Sequence, residues 1–145
     1  MEIYTIGFTG KTAAEFFGAL RQARIARLID VRLNNSSQLA GFTKRADLPF
    51  FLRELCSAEY VHQPLLAPSK EILTGFRKKQ ITWEDYERQF LALLAERKIE
   101  AALDKAAFAV PTVLLCSEPT PEHCHRRLVA EYLREKWGDV DIVHL

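Results

Sequence analysis

Val110-Pro111-Thr112-Val113-Leu114-Leu115-Cys116 is an apolar run of strand length and the clearest core strand in the sequence. Proline lacks the N–H that a strand ladder uses, so Pro111 fits only at the start of this strand. A helix is predicted soon after it, because Thr120-Pro121-Glu122 supplies an N-cap, a proline for the first helical position and an acid for the first turn. The apolar residues of this helix recur at helical spacing: Leu128, Val129, Tyr132 and Leu133.

The same alternation of strand and helix continues on both sides of this unit. Four more short strands are predicted, at 3–6, 28–31, 60–62 and 140–143, and five more helical segments, at about 13–23, 48–57, 69–77, 82–98 and 99–107. Thr12 with Glu15, and Thr82 with Asp85, have the spacing of capping boxes. Alternating strands and helices predict a single three-layer α/β domain over residues 1–145, with a mainly parallel sheet of about five strands and helices on both faces.

Composition narrows the class of protein. The chain has 145 residues, the size of one domain, and 48% of them are hydrophobic, which supplies a core. A net charge of +1 gives little support to nucleic-acid binding, which stays a weak alternative. Three cysteines argue against a disulfide framework, and no secretory signal or bilayer-spanning apolar run is evident. We therefore expect a cytoplasmic protein that makes no membrane contact, and no cofactor is predicted.

Three loops of the predicted sheet hold most of the reactive side chains. In open parallel sheets, ligands bind beyond the carboxyl ends of the strands, where neighbouring crossovers diverge. The loops after the first, second and fourth strands, Gly7–Lys11, Asp30–Asn35 and Cys116–Arg126, lie at that edge. We expect them to form one pocket for a small anionic ligand.

The first of these loops resembles a phosphate loop because it ends in Gly10-Lys11-Thr12. A true phosphate loop needs a glycine where this chain has Thr5, so the loop is too short to wrap a triphosphate and a nucleoside-triphosphatase site is not favoured. Two interpretations of Gly7 and Gly10 are left. The free N–H groups at the helix start hold one anionic group, or the glycines only make a tight turn.

Asp30 and Arg32 flank Val31, so on a regular strand they share one face. Charges at the end of a buried strand are costly unless they are paired or used. Arg32 could clamp an anionic substrate that Asp30 orients, or the two could form a structural ion pair at the rim of the sheet.

The segment from Cys116 to Arg126 is the richest in chemistry. In a thiolate site, Cys116 or Cys124 would be the nucleophile, and Glu118 or His125 would carry the proton. Arg126 would form an anion clamp with Arg32. Ser117, at the start of the loop, would also contact the ligand. In a structural zinc site, Cys116, Cys124 and a histidine would be ligands. Cys124 could also be a small buried apolar residue, and Cys56 is predicted to be one.

These residues resemble a known family. The sequence is similar to the family called domain of unknown function 488 in Thr5-Ile6-Gly7, Asp30-Val31-Arg32, Leu115-Cys116-Ser117-Glu118 and Cys124-His125-Arg126. The resemblance implies an α/β fold and a site at these motifs, and it implies no particular reaction.

Two segments depart from that family's usual pattern. Phe8-Thr9 stands where His-Ser is common, which removes a candidate acid–base histidine, and Leu65-Leu66-Ala67-Pro68 replaces a glycine-rich stretch. Either change is consistent with an altered substrate or a lost activity. The first hypothesis is an enzyme or degenerate enzyme acting on a small anionic, nucleotide-like ligand. The alternatives are a non-catalytic module that binds a nucleotide or nucleic acid, and the structural zinc site.

Overall fold

Five strands form one all-parallel sheet in a computed structural model that describes residues 1–36 and 41–145. The strands are β1 (Glu2–Gly7), β2 (Arg27–Asp30), β3 (Glu59–His62), β4 (Thr112–Cys116) and β5 (Asp141–His144). Their order in the sheet is β3-β2-β4-β1-β5. The predicted α/β class, the parallel sheet of five strands and the helices on both faces are confirmed.

Six α-helices are found in the described residues. They are α1 (Ala13–Gln22), α2 (Leu48–Cys56), α3 (Lys70–Arg77), α4 (Trp83–Glu96), α5 (Ile99–Ala102) and α6 (His125–Trp137), with 3₁₀ turns at Gly41–Thr43, Pro64–Leu66 and Lys105–Ala109. Both predicted capping boxes are present, at the starts of α1 and α4. None of the described helices is both long and apolar enough to span a bilayer. Of the predicted polar loop 33–45, residues 37–40 lie outside the described part of the chain.

The position of β4 in the centre of the sheet explains why its sequence is apolar throughout. Its five residues are all buried, because β1 and β2 flank it and helices cover both faces. Val113 and Leu115 pack in the cluster that contains α1 and α2, whereas Leu114 and Cys116 pack in the cluster that contains α4 and α6. A strand covered on both faces needs no polar alternation.

The crossovers diverge between β1 and β4. The helix that follows β1 lies on one face of the sheet, and the helix that follows β4 lies on the other. The two strands are neighbours, with Gly7 opposite Cys116 at their carboxyl ends. Divergent crossovers leave a crevice at such a point, and it lies between two of the three predicted loops.

Two helix predictions need correction. The helix predicted at 99–107 is α5 (Ile99–Ala102) followed by the 3₁₀ turn Lys105–Ala109, and the start of the last helix is also misplaced. The last helix begins at His125, not near Thr120, and Cys124 is its N-cap with extended backbone angles (φ −136°, ψ 136°). The reason is the path of the loop. It first passes beside β1, where the Thr9 N–H donates to the Ser117 carbonyl at 3.1 Å, and then turns, with the Cys124 N–H donating to Pro121 O at 3.3 Å. The backbone can therefore enter the helix only after this turn, at His125.

Candidate functional site

A cleft of about 1150 Å³ opens at the carboxyl edge of the sheet, where β1 and β4 diverge. The loops after β1, β2 and β4 all contribute to its wall, and so do residues of α3, α4 and the segment between them. The three predicted loops therefore meet in one cleft. Its size suits a drug-sized or larger organic ligand.

Cys116 and His125 form a side-chain pair in the wall of this cleft. The Sγ atom of Cys116 lies 3.4 Å from Nδ1 of His125, and Nε2 of the same ring lies 2.6 Å from the carbonyl oxygen of Val31. A carbonyl only accepts, so Nε2 carries a proton and Nδ1 faces the sulfur. The ring is thus oriented to take the thiol proton, and a cysteine with an oriented base is the arrangement of nucleophilic cysteine enzymes.

Arg126 lies behind this pair with no exposed surface. One of its terminal nitrogens donates to the Glu118 carbonyl at 2.6 Å and to Cys124 Sγ at 3.4 Å. No carboxylate forms an ion pair with it within the described residues, where its Nε also has no partner. A buried cation is costly unless an anion balances it, and the Cys116–Cys124 pair, which interacts with Arg126, contains thiols that can become one.

The two sulfurs of this pair have opposite acidities. Burial alone would raise the pKa of Cys116, but the Cys124 thiol, the Ser117 N–H, the Arg126 charge and the Glu118 N–H outweigh it and lower that pKa. Burial and the neighbouring Cys116 sulfur raise the pKa of Cys124. Cys116 is therefore the more acidic of the two sulfurs, and Cys124 is a thiol that donates to it.

Burial raises the pKa of the third cysteine, Cys56, which lies on α2 away from the cleft. Its Sγ has a weak contact, 3.9 Å, with the carbonyl oxygen of Phe17. Cys116 therefore differs from Cys56 in the direction of its pKa shift, whereas Cys124, whose pKa burial also raises, does not.

Asp30 and Arg32 form a buried ion pair. The Arg32 guanidinium donates to both Asp30 oxygens, at 2.9 and 2.8 Å, and also to the Thr43 carbonyl. Asp30 accepts a further hydrogen bond from the Tyr60 hydroxyl at 2.6 Å. Arg32 lies over the Phe8 ring and reaches the cleft wall, whereas Asp30 does not. The pair thus has the geometry of the structural alternative, with one face of Arg32 toward the cleft.

The glycines of the first loop have steric roles. A Cβ on Gly7 would lie 1.6 Å from the Glu118 carbonyl oxygen and 2.9 Å from Arg126. Gly10 has φ +81°, a left-handed conformation that favours glycine. Both observations match the tight-turn interpretation, in which Gly7 lets the two loops meet.

The predicted site residues fall into two groups. The described wall of the cleft includes Cys116, Ser117, Glu118, Cys124, His125 and Arg32. Gly7, Asp30 and Arg126 lie behind this wall and act on it through the residues they contact. Arg126, for example, contacts the Glu118 carbonyl and the Cys124 sulfur of the loop.

Sequence reasoning missed one wall of the cleft. Phe76, Trp83 and Tyr86 line it together with Arg77 and Lys79. In the sequence, the aromatic residues look like core and the basic residues like solvated surface. The only local sign of a ligand site is the basic cluster that follows Phe76. His123 of the loop stacks on the Trp83 ring, with centroids 4.9 Å apart, so this wall also fastens the loop.

The cluster could also hold a metal ion. Ligand atoms of Cys116, Cys124 and His125 all lie within 4.8 Å of one another. The His125 orientation is that of many metal ligands, which donate their second ring nitrogen to a carbonyl. A zinc ion with two thiolates, however, would leave the buried Arg126 charge unbalanced, whereas a single thiolate balances it.

Comparison with known proteins adds a family. A family model described as "Domain of unknown function DUF488" matches residues 12–133. No curated protein and no solved structure shows significant similarity to the chain.

Proposed function

The chain belongs to the family described as domain of unknown function DUF488, and from its cleft we propose an enzyme that attacks a small anionic ligand with the Cys116 thiolate. The observation that carries the proposal is the Cys116–His125–Val31 arrangement, with Sγ to Nδ1 at 3.4 Å and Nε2 to the carbonyl at 2.6 Å. The family's description assigns no reaction, and these contacts alone support the proposed one.

The proposed roles follow from position. His125 takes the thiol proton and returns it to the leaving group, because its ring is held with Nδ1 toward the sulfur. Glu118 is exposed on the cleft wall and could serve as a second proton carrier there. Arg126 and the amides of the loop stabilise the thiolate, so Arg126 is a positioning residue.

The charge of the wall supports an anionic ligand. Lys11, Arg77 and Lys79 line the cleft, and Glu118 is the only acidic side chain among its described lining residues. Burial, and then the Arg126 charge, lower the pKa of Lys11. A bound anion would therefore offset the repulsion between these two positive charges. The aromatic side chains of the cleft wall favour a ligand with a flat ring, such as a nucleotide.

Alkylation with iodoacetamide tests the nucleophile, with each cysteine followed by mass spectrometry from about pH 5 to about pH 9. We expect Cys116 to react well below the ordinary cysteine pKa of about 8.5. Cys56 is the internal control and should react only at alkaline pH. Slow, equal labelling of all three cysteines until the protein unfolds would refute the proposal, since the sulfurs would then be core atoms.

A zinc site is the second candidate, because three ligand atoms lie within 4.8 Å of one another. Elemental analysis of protein purified without chelators tests it. One zinc per chain, lost in Cys124→Ser and kept in Cys56→Ser, would favour this site. Metal-free protein with a reactive Cys116 would favour the enzyme.

We place the protein in the cytosol as part of the proposal, since a free thiol pair persists where thiols are kept reduced.

A further inference from the structure

Cys124 adjoins the nucleophile and donates a hydrogen bond to it, but it forms no bond to the ligand in the proposed attack. It is 2% exposed, and its Sγ lies within 4.8 Å of the Cys116 Sγ. We propose that Cys116 is a site of oxidation by hydroperoxides and that Cys124 is its resolving thiol, which closes a reversible disulfide. This inference rests on the Cys116 thiolate of the proposed function and adds a partner and a co-reactant to it.

Cys116 is the sulfur that oxidises first. It is 4% exposed and belongs to the cleft wall, so a small peroxide can reach it. The Arg126 guanidinium and the loop amides stabilise its anion, and the thiolate is the form that peroxides oxidise. Cys124 stays a thiol because burial and the neighbouring Cys116 sulfur raise its pKa, and because it donates toward Cys116.

The first step balances with the groups present. The Cys116 thiolate attacks the terminal oxygen of the hydroperoxide, so an S–O bond forms and the O–O bond breaks. The sulfur loses two electrons, and the peroxide gains them. The imidazolium of His125 gives its proton to the leaving alkoxide or hydroxide, which departs as an alcohol or as water. Cys116 is then a sulfenic acid, and His125 is neutral.

In the second step Cys124 attacks the sulfur of Cys116. The neutral His125 ring takes the Cys124 proton, since its ligand nitrogen lies within 4.8 Å of that sulfur. An S–S bond forms, the S–O bond breaks, and the departing hydroxide takes the proton from His125 as water. No further oxidant is needed.

Closure of this disulfide requires a side-chain movement. A disulfide needs an S–S separation of about 2.05 Å, so the two sulfurs must move together. Cys124 is the N-cap of α6, with extended backbone angles, and its sulfur is held by the Arg126 contact at 3.4 Å. Rotating the Cys124 side chain away from Arg126 breaks that contact and leaves the helix unchanged.

The disulfide should be easy to reduce. Arg126 and the loop amides stabilise the thiolate of the reduced form, and the disulfide has no charge to balance Arg126. Stabilising the reduced form makes a disulfide a stronger oxidant. Oxidation would thus block the nucleophile, and a small dithiol would restore it.

The test uses the full chain, reduced and then treated with hydrogen peroxide. After alkylation, trypsin releases both cysteines in one peptide, residues 106–126, and Cys56 in another, residues 54–70. We expect peptide 106–126 to lose two hydrogens and to carry no alkyl group, and dithiothreitol to reverse this. Cys56→Ser should behave like the wild type. In Cys124→Ser we expect dimedone to trap a sulfenic acid at Cys116, and prolonged peroxide to give sulfinic acid.

Two results would overturn the inference: a wild-type Cys116 that oxidises to sulfinic acid without a disulfide, or a Cys56 that oxidises before it. Its failure is distinct from failure of the proposed function. If Cys116 alkylates below pH 8 but forms no disulfide, the nucleophile stands and the resolving role of Cys124 falls. If Cys116 reacts with neither iodoacetamide nor peroxide, both fall.

Discussion

The carbonyl oxygen of Glu118 occupies the place where residue 7 would carry a Cβ, 1.6 Å from the ideal position of that atom. Any side chain at residue 7 would push the loop after β4 off the end of β1. The same loop presents to Cys116 the amides that stabilise its thiolate. Gly7 is therefore a steric requirement of the site.

Gly7→Ala should lower the free energy of unfolding by about 1–3 kcal/mol, the usual cost of overpacking, and slow the alkylation of Cys116 at neutral pH. Urea unfolding and iodoacetamide labelling measure the two effects. The matched control is Gly18→Ala on α1, where a Cβ meets nothing within 4 Å. That change should stabilise the helix by up to about 1 kcal/mol. Equal effects of the two variants would contradict this role of Gly7.

Arg126→Met should raise the pKa of Cys116, because the burial penalty stays and the balancing charge is lost. At a pH below the pKa, each unit of rise reduces the thiolate fraction about tenfold, so we expect labelling on the acidic limb of the pH profile to slow by about tenfold per unit. Arg126→Lys should recover part of the labelling rate, since lysine keeps the positive charge but lacks the planar set of donors of the guanidinium.

Arg127→Met is the control for Arg126, because the Arg127 side chain binds Glu131 and backbone carbonyls and not the sulfurs. It should leave the pH profile of Cys116 unchanged. An unchanged profile in Arg126→Met as well would show that this guanidinium does not stabilise the thiolate.

Cys124 should make the folded state less stable in alkali. Its pKa is raised on folding, so above the ordinary value of about 8.5 the unfolded chain has lost a proton that the folded chain keeps. Stability then falls with rising pH, by at most about 1.4 kcal/mol per pH unit. Cys124→Ser should remove this slope between about pH 8.5 and pH 10 in reductant-containing urea titrations. Parallel curves for the two proteins would refute the raised pKa.

Arg32→Met should be strongly destabilising, by about 3–5 kcal/mol, because it leaves Asp30 buried without its cation. The double variant Asp30→Asn with Arg32→Met should regain most of that loss, since neither charge is then buried alone. Denaturant unfolding of the single and double variants completes the cycle. A double variant no more stable than Arg32→Met would show that the loss does not arise from the stranded carboxylate.

Arg77→Gln should weaken anion binding at the cleft. We expect phosphate and adenosine monophosphate to slow Cys116 alkylation, the nucleotide at lower concentration because its ring can pack on the aromatic wall. Arg77→Gln should raise the concentration needed, whereas Lys70→Gln should not, because Lys70 lies on the same helix but outside the described wall. Equal protection in both variants would remove Arg77 from the site.

The sequence by itself determined the class of fold and the edge of the sheet where the chemistry gathers. Five short apolar runs alternate with helical periods, and this pattern depends only on which faces of each element are buried. The capping boxes at Thr12 and Thr82 are equally local, since each involves residues three apart. Because parallel strands all end at one edge, the order of elements alone brings Cys116, Arg32 and Gly7 to the same end of the sheet.

Only the tertiary structure decided what each of these residues does there. The start of α6 moved to His125 because the loop must first pass beside β1, a constraint from residues more than a hundred positions away. The difference between Cys116 and Cys124 depends on a buried guanidinium and on backbone amides whose directions no spacing predicts. The aromatic wall around Trp83 reaches the cleft through the long crossover from β3 to β4. Pairwise contacts across such distances in sequence are set by packing, so local patterns do not contain them.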